Sequence, residues 1–159
     1  KFTAEFNNMF LAIKPEDFHN RIHQKKETKM TLALDKMQAV TKEINKDITI
    51  NPDKIEFYIE VLKEFDRQNN LSGIASVYAA FVMVETYKVG DKEYQSNRVL
   101  DEFFKENPSL KLSDSYQNIM SGLGNYKGAR KRYAETGGVP NFLVFGQDIN
   151  LNYETLSSE

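Results

Sequence analysis

The stretch Arg67-Gln-Asn-Asn-Leu-Ser-Gly-Ile-Ala-Ser-Val-Tyr-Ala-Ala-Phe81 joins two helices. Its first residues close one helix near Asn69-Asn70, and the remainder opens another that is expected to run from about Ser72 to Tyr87. Small residues at Gly73, Ala75, Ala79 and Ala80 let a neighbouring helix approach closely. Ile74, Val77, Tyr78, Phe81 and Val84 are apolar around much of the circumference, the pattern of a helix buried at the centre of a fold. Gly90 is placed to stop it.

The helix leading into this corner has the clearest start in the chain. Asn51 is suited to cap free amides, Pro52 to the first helical position, and Asp53 complements the positive end of the dipole. Its stripe is Ile55, Tyr58, Ile59, Leu62 and Phe65. An earlier helix is expected from Thr28 to Ile44, carrying Leu34, Met37, Val40 and Ile44. Before that, Phe2, Phe6, Met9, Phe10 and Ile13 share one helical face until Pro15 interrupts it. Downstream, Val99, Leu100, Phe103 and Phe104 mark a helix ending at Asn107-Pro108, where the proline pushes Asn107 out of helical geometry. Tyr116, Ile119 and Met120 begin another, broken by Gly122 and Gly124. A short basic helix from Asn125 to about Thr136 is stopped by Gly137-Gly138. Val139-Pro-Asn-Phe-Leu-Val-Phe145 is the one strand-like run, and it reads equally as a buried helical or extended segment. With no repeat, low-complexity tract or dividing linker, the expectation is a single all-α domain spanning residues 1–159.

A chain of 159 residues buries roughly 70% of its unfolded surface and needs no disulfide or metal staple. A composition of 40% hydrophobic and 28% charged residues is that of an ordinary globular protein. The absence of cysteine excludes a disulfide framework and thiolate chemistry. A net charge of −2 argues against nucleic acid as a partner, because such surfaces carry a strong basic excess. The longest apolar run, Val77–Val84, falls far short of the ~20 residues of a spanning helix, so no direct membrane insertion is expected. No signal peptide is visible. The chain lacks an initiator methionine and ends in Thr155-Leu156-Ser157-Ser158-Glu159 with no structural stop, which reads as a fragment of something longer. No heptad or exposed apolar stripe singles out a dimer face, so the oligomeric state stays open.

The Asn-Asn corner, its small-residue helix and the following Tyr87-Lys88-Val89 resemble the centre of the Ras guanine-nucleotide exchange (RasGEF) catalytic domain. That family pairs a helix ending in Leu-Asn-Asn-Phe-Asn with a small-residue helix and then Tyr/Ser-Arg-Leu. Further matches follow the family's order. Phe6-Asn-Asn-Met-Phe-Leu-Ala-Ile-Lys-Pro-Glu-Asp-Phe18 is similar to its opening Phe-x-x-Ile-x-Pro-x-Glu-Leu segment. Asn125-Tyr126-Lys127, then Arg130, resembles its Asn-Tyr/Phe-x-x-Tyr-Arg helix. Val139-Pro140 followed by Gln147-Asp148-Ile149 resembles Val-Pro-x-x-Gly-x-Tyr-Leu-Thr-Asp-Leu.

The resemblance implies a mechanical function with no cofactor of its own. A RasGEF domain grips switch 2 of a small Ras-like GTPase in a groove and uses a helical hairpin as a wedge to lever switch 1 away. An apolar and an acidic wedge residue then occupy the magnesium and phosphate region, and GDP leaves. Such domains act on cytosolic faces of membranes, which implies a cytoplasmic location, in a host cell if the source is a pathogen. Residue by residue, the resemblance assigns Tyr126 to the switch 2 groove, Tyr87 and Lys88 to an aromatic-basic pair nearby, and Lys36 to a basic position facing the GTPase. Phe142 or Asn141 takes the place of a groove phenylalanine, and Glu154 aligns with the acidic wedge residue. Departures stand beside these matches. Val82 replaces an asparagine that contacts the GTPase, Asn150 stands at the apolar wedge position, Leu143 replaces a glycine, and the second wedge helix lies past the last residue of the sequence. A binding module that keeps the fold without exchange is the alternative.

Other features carry less. Lys127, Arg130, Lys131 and Arg132, with Tyr126 and Tyr133 interleaved, read as a solvated basic face. Glu16, His19 and His23 have helical metal-ligand spacing, but no second cluster completes a shell, so no metal site is expected. Gly122-Leu-Gly-Asn-Tyr-Lys-Gly128 misses the spacing of a dinucleotide fingerprint and reads as a helix break.

Overall fold

A computed structural model describes residues 2–12, 29–122, 126–141 and 144. Helix α1 spans Phe2–Ala12, α2 Lys29–Ile50, α3 Ile55–Arg67 and α4 Leu71–Val82. Strands β1 (Thr86–Val89) and β2 (Lys92–Gln95) follow, then α5 (Ser96–Glu106), α6 (Asp114–Met120) and α7 (Lys127–Thr136). The fold is all-α, with one small hairpin among the described residues.

The Asn-Asn corner is built as two devices. Asn69 takes a left-handed backbone at φ 52°, a conformation that asparagine tolerates better than most residues. Asn70 is fully buried, and its side-chain oxygen accepts from Gly73 N at 2.8 Å, satisfying one of the free amides of α4. Leu71 through Val77 are all buried behind it. A Cβ on Gly73 would lie 2.7 Å from the Phe65 ring, so the missing side chain is what lets α3 and α4 come this close.

Helix α2 runs past the expected Ile44 to Ile50. Past Ile44 the inner face carries Ile48 together with two buried polar residues, Asn45 and Thr49. Thr49 satisfies its hydroxyl internally, donating to Asn45 O at 2.6 Å. The expected start of the next helix is also corrected. The Asn51 side chain makes no cap bond, and Pro52–Lys54 forms a 3-10 turn before α3 begins at Ile55. Asn51 Nδ2 instead donates back to Asp47 Oδ1 at 3.1 Å. Ile55, Ile59, Leu62 and Phe65 are buried, as their spacing requires.

Helix α4 ends at Val82 rather than Tyr87. Met83 is extended at φ −67°, ψ 134°, and Tyr87-Lys88-Val89 lies on β1, paired antiparallel with Tyr94, Glu93 and Lys92. Gly90 is a hairpin residue rather than a helix stop. At φ 62° it opens the two-residue Gly90-Asp91 loop with the positive φ that tight hairpins need. Helix α5 ends at Glu106 with Asn107 as its C-cap before Pro108, where the stop was expected, and Leu100 is buried. Gly137, at φ 65°, closes α7.

The strand-like run beginning at Val139 forms a single parallel bridge with Asn70. Val139 N donates to Asn69 O at 3.0 Å and Leu71 N to Val139 O at 2.8 Å. Ser72 Oγ adds a bond to Pro140 O. The run therefore straps the α3–α4 corner, and Val144 is helical. One continuous apolar cluster joins α2 to α7, from Ile44 and Ile48 through Leu62, Ile74 and Leu100 to Ile119 and Ala129. Each leucine or isoleucine in it contributes about 1.5–3 kcal/mol on full burial.

Candidate functional site

The end of α4 and the β-hairpin present three of the residues singled out by resemblance. Val82, the last residue of α4, is 57% exposed. Lys88 is exposed on β1 across from Glu93. Tyr87 is half-buried, and its hydroxyl donates to Asn45 Oδ1 at 2.6 Å. Burial, helped by the charge of Glu85, raises its pKa above the usual tyrosine value. Its hydroxyl is thus committed inward.

Asn45 was not singled out, and nothing in a buried polar residue of one sequence would have done so. It is fully buried on α2. Its Nδ2 donates to Ala80 O at 2.7 Å and to Met83 O at 3.2 Å. Ser96 Oγ donates to the same Met83 O at 2.9 Å and accepts from Glu85 N at 2.9 Å. These bonds fasten the base of the hairpin to the helical core.

Lys36 stands apart from this group. It lies about two and a half turns from Asn45, on the opposite side of α2. Its ammonium pairs with Glu5 of α1 at 3.3 Å. Lys36 also lines a groove of about 920 Å³ between α2 and α3, floored by Val40, Ile44, Val61 and Phe65. At the other end of that groove Asp47 accepts from Lys54 at 2.9 Å and from the Tyr58 hydroxyl at 2.7 Å. Burial raises the Asp47 pKa, but the bonds from Lys54, Tyr58 and Asn51 together outweigh it and hold the carboxyl below its ordinary value. Tyr58 is pushed up to about 12, by burial first and then by its bond to Asp47.

Tyr126 sits in a left-handed conformation at φ 59° just before α7 and packs, half-buried, against the core. The basic helix it introduces is only partly the solvated face expected. Lys127 and Lys131 are exposed, whereas Arg132 is a structural tie. Its Nη2 lies 2.6 Å from Asp66 Oδ1 and also donates to Asp66 O at 2.9 Å and Asn69 Oδ1 at 3.1 Å. Tyr116 donates to Asp66 Oδ2 at 3.3 Å. Its pKa is raised to about 12 by burial first and by the Asp66 charge second. A spacing argument cannot see this, because Asp66 is remote in sequence.

Phe142, Leu143, Asn150 and Glu154 lie outside the described residues, as do Glu16, His19 and His23. Asn141, the alternative to Phe142, is buried beside Pro140. Among the described residues no cluster of histidine and carboxylate side chains could hold a metal ion. No helix among them is long and apolar enough to cross a membrane.

No curated protein and no solved structure gives a significant match to the chain. A family model described as the RasGEF domain matches residues 1–158. With nearly the whole sequence matched, and a helical core turned about the buried Asn70 corner, the chain belongs to the RasGEF domain family.

Proposed function

We propose that this domain binds a small Ras-family GTPase and promotes release of its GDP. The observation that carries the reading is the RasGEF match over residues 1–158. In this reading residues 1–159 act as one helical domain, at the cytosolic side of a membrane and without a cofactor. Val82, Tyr87, Lys88, Lys36, Tyr126 and Phe142 meet the GTPase, and Asn150 and Glu154 act near its nucleotide. No covalent bond is made or broken. The domain prefers the nucleotide-free GTPase, and linkage then requires it to weaken nucleotide affinity by the same factor. Bound GDP leaves faster, and a new nucleotide displaces the domain.

Val82 supports a second reading, a binding module without exchange. Its exposed isopropyl group neither donates nor accepts a hydrogen bond where the family carries an asparagine.

Release of fluorescent GDP from a panel of Ras-family GTPases, at fixed magnesium and increasing domain, tests both. Saturable acceleration is the expected result. Tyr126→Ala then slows release by roughly tenfold or more, as loss of an aromatic interface anchor does, and Glu154→Ala lowers the maximal rate. Binding to the nucleotide-free GTPase without acceleration would favour the module. Neither binding nor acceleration across the panel would sink the proposal.

A further inference from the structure

We propose that Asn45 is a positioning residue for the partner-binding surface, holding the end of α4 and the β-hairpin in a single arrangement. The inference rests on the GTPase-binding reading for its consequence, and on the geometry around Asn45 for its cause.

Helix α4 has no stop signal where it ends. Val82, Met83 and Val84 are apolar and would continue a helix. The last helical bond runs from Met83 N to Ala79 O. Ala80 O, the next carbonyl along, is taken by Asn45 Nδ2 instead. The last carbonyls of a helix have no donor within it and need one from elsewhere when they are buried. The second N–H of the same amide reaches Met83 O, where the chain has already turned extended. The amide oxygen accepts from the hydroxyl of Tyr87 on β1. One side chain thus bonds the helix end, the turn and the strand, using both donors and its acceptor.

The alternative is a buried asparagine that only satisfies itself. Such a residue is costly to bury unless its bonds are made, and an apolar side chain would pack there without that demand. Asn45 spends its bonds on one junction, and that junction carries Val82 on one side and Tyr87 and Lys88 on the other. Ser96 clamps the hairpin from the α5 side through Met83 O and Glu85 N, so Asn45 is the link from α2.

The test uses the whole chain with Asn45→Ala, Tyr87→Phe and the double variant. Amide hydrogen exchange is compared between residues 83–95 and the α3 segment 55–67, and affinity is measured for the nucleotide-free GTPase. Each single variant is expected to speed exchange in 83–95 while leaving 55–67 protected. Affinity for the GTPase is expected to fall about five- to tenfold in Asn45→Ala, the scale of a single side-chain hydrogen bond. Tyr87→Phe should add little in the Asn45→Ala background, because its hydroxyl has already lost its partner. Unchanged exchange in 83–95, independent additive effects, or faster exchange with unaltered affinity would each overturn the proposal. Should Asn45→Ala fail to fold, Tyr87→Phe decides by the same two readouts. If the unaltered chain binds no GTPase, the functional reading falls, and the exchange comparison alone decides whether Asn45 holds the hairpin.

Discussion

At Asp47 burial and hydrogen bonding pull in opposite directions, and the bonds win. The folded pKa therefore lies below the ordinary 3.8. A carboxylate shifted this way stabilises the fold fully above its unfolded pKa and stops doing so as the pH falls through the folded value. Asp47→Asn is expected to lower the urea midpoint at neutral pH and to converge with the unaltered chain in acid. A constant gap at all pH values would contradict that. Its partner Tyr58 behaves in the opposite sense. With its pKa raised from 10.0 to about 12, it contributes stability that is whole below pH 10 and is lost as the pH rises through the folded value. Tyr116 follows the same rule beside Asp66. In an alkaline titration followed by tyrosinate absorbance, Tyr58→Phe and Tyr116→Phe should each remove late-titrating signal. The Arg132 tie invites a simpler test. Arg132→Met keeps the apolar stem but removes the guanidinium from Asp66 and Asn69, at a cost of about 2 kcal/mol for charge-assisted bonds of this kind. Urea unfolding reads it directly, and an unchanged midpoint would return Arg132 to the solvated face.

Helices were legible where apolar spacing and breakers agreed, and illegible where tertiary contacts set the boundary. The α3 stripe and the stop at Asn107-Pro108 both emerge from local sequence. The end of α4 does not, because the apolar residues continue past it and the Ala80 carbonyl there is met by Asn45 of another helix. A signal for the hairpin was nonetheless present. Thr86-Tyr87-Lys88-Val89 and Lys92-Glu93-Tyr94-Gln95 are two short runs about a Gly-Asp pair, a recognised hairpin pattern. The small-residue reading of α4 can be tested at Gly73. Alanine there gains about 1 kcal/mol of helix propensity, but its Cβ would sit 2.7 Å from the Phe65 ring. Overpacking of this kind costs about 1–3 kcal/mol, and an aromatic ring wedged between helices has little room to yield. Gly73→Ala should therefore destabilise the fold, and Phe65→Leu in the same chain should recover part of the loss. Additive losses would mean that the contact does not control the approach of α3 and α4.

For the whole molecule, family resemblance reached further than pattern. Periodicity supplied an all-α core, while every proposed contact residue came from matching the chain to an exchange domain. The structure groups Val82, Tyr87 and Lys88 at one junction and leaves Lys36 on the far side of α2. That division was invisible in sequence because it depends on which face of one helix meets another. The same core determines how the molecule should unfold. Its buried cluster runs without interruption from α2 to α7, and the corner is strapped by both Val139 and Arg132. No described element has a core of its own on which to persist. With no tryptophan in the chain, tyrosine emission is the natural probe of packing. Tyr58, Tyr78, Tyr126 and Tyr133 all lie half-buried against the core, and Tyr116 lies within it. Unfolding in urea should give one transition, with tyrosine emission and far-ultraviolet circular dichroism coincident. If the helical signal outlasted the tyrosine signal, part of the helical structure would be packing independently. A single domain over this chain would then be the wrong description.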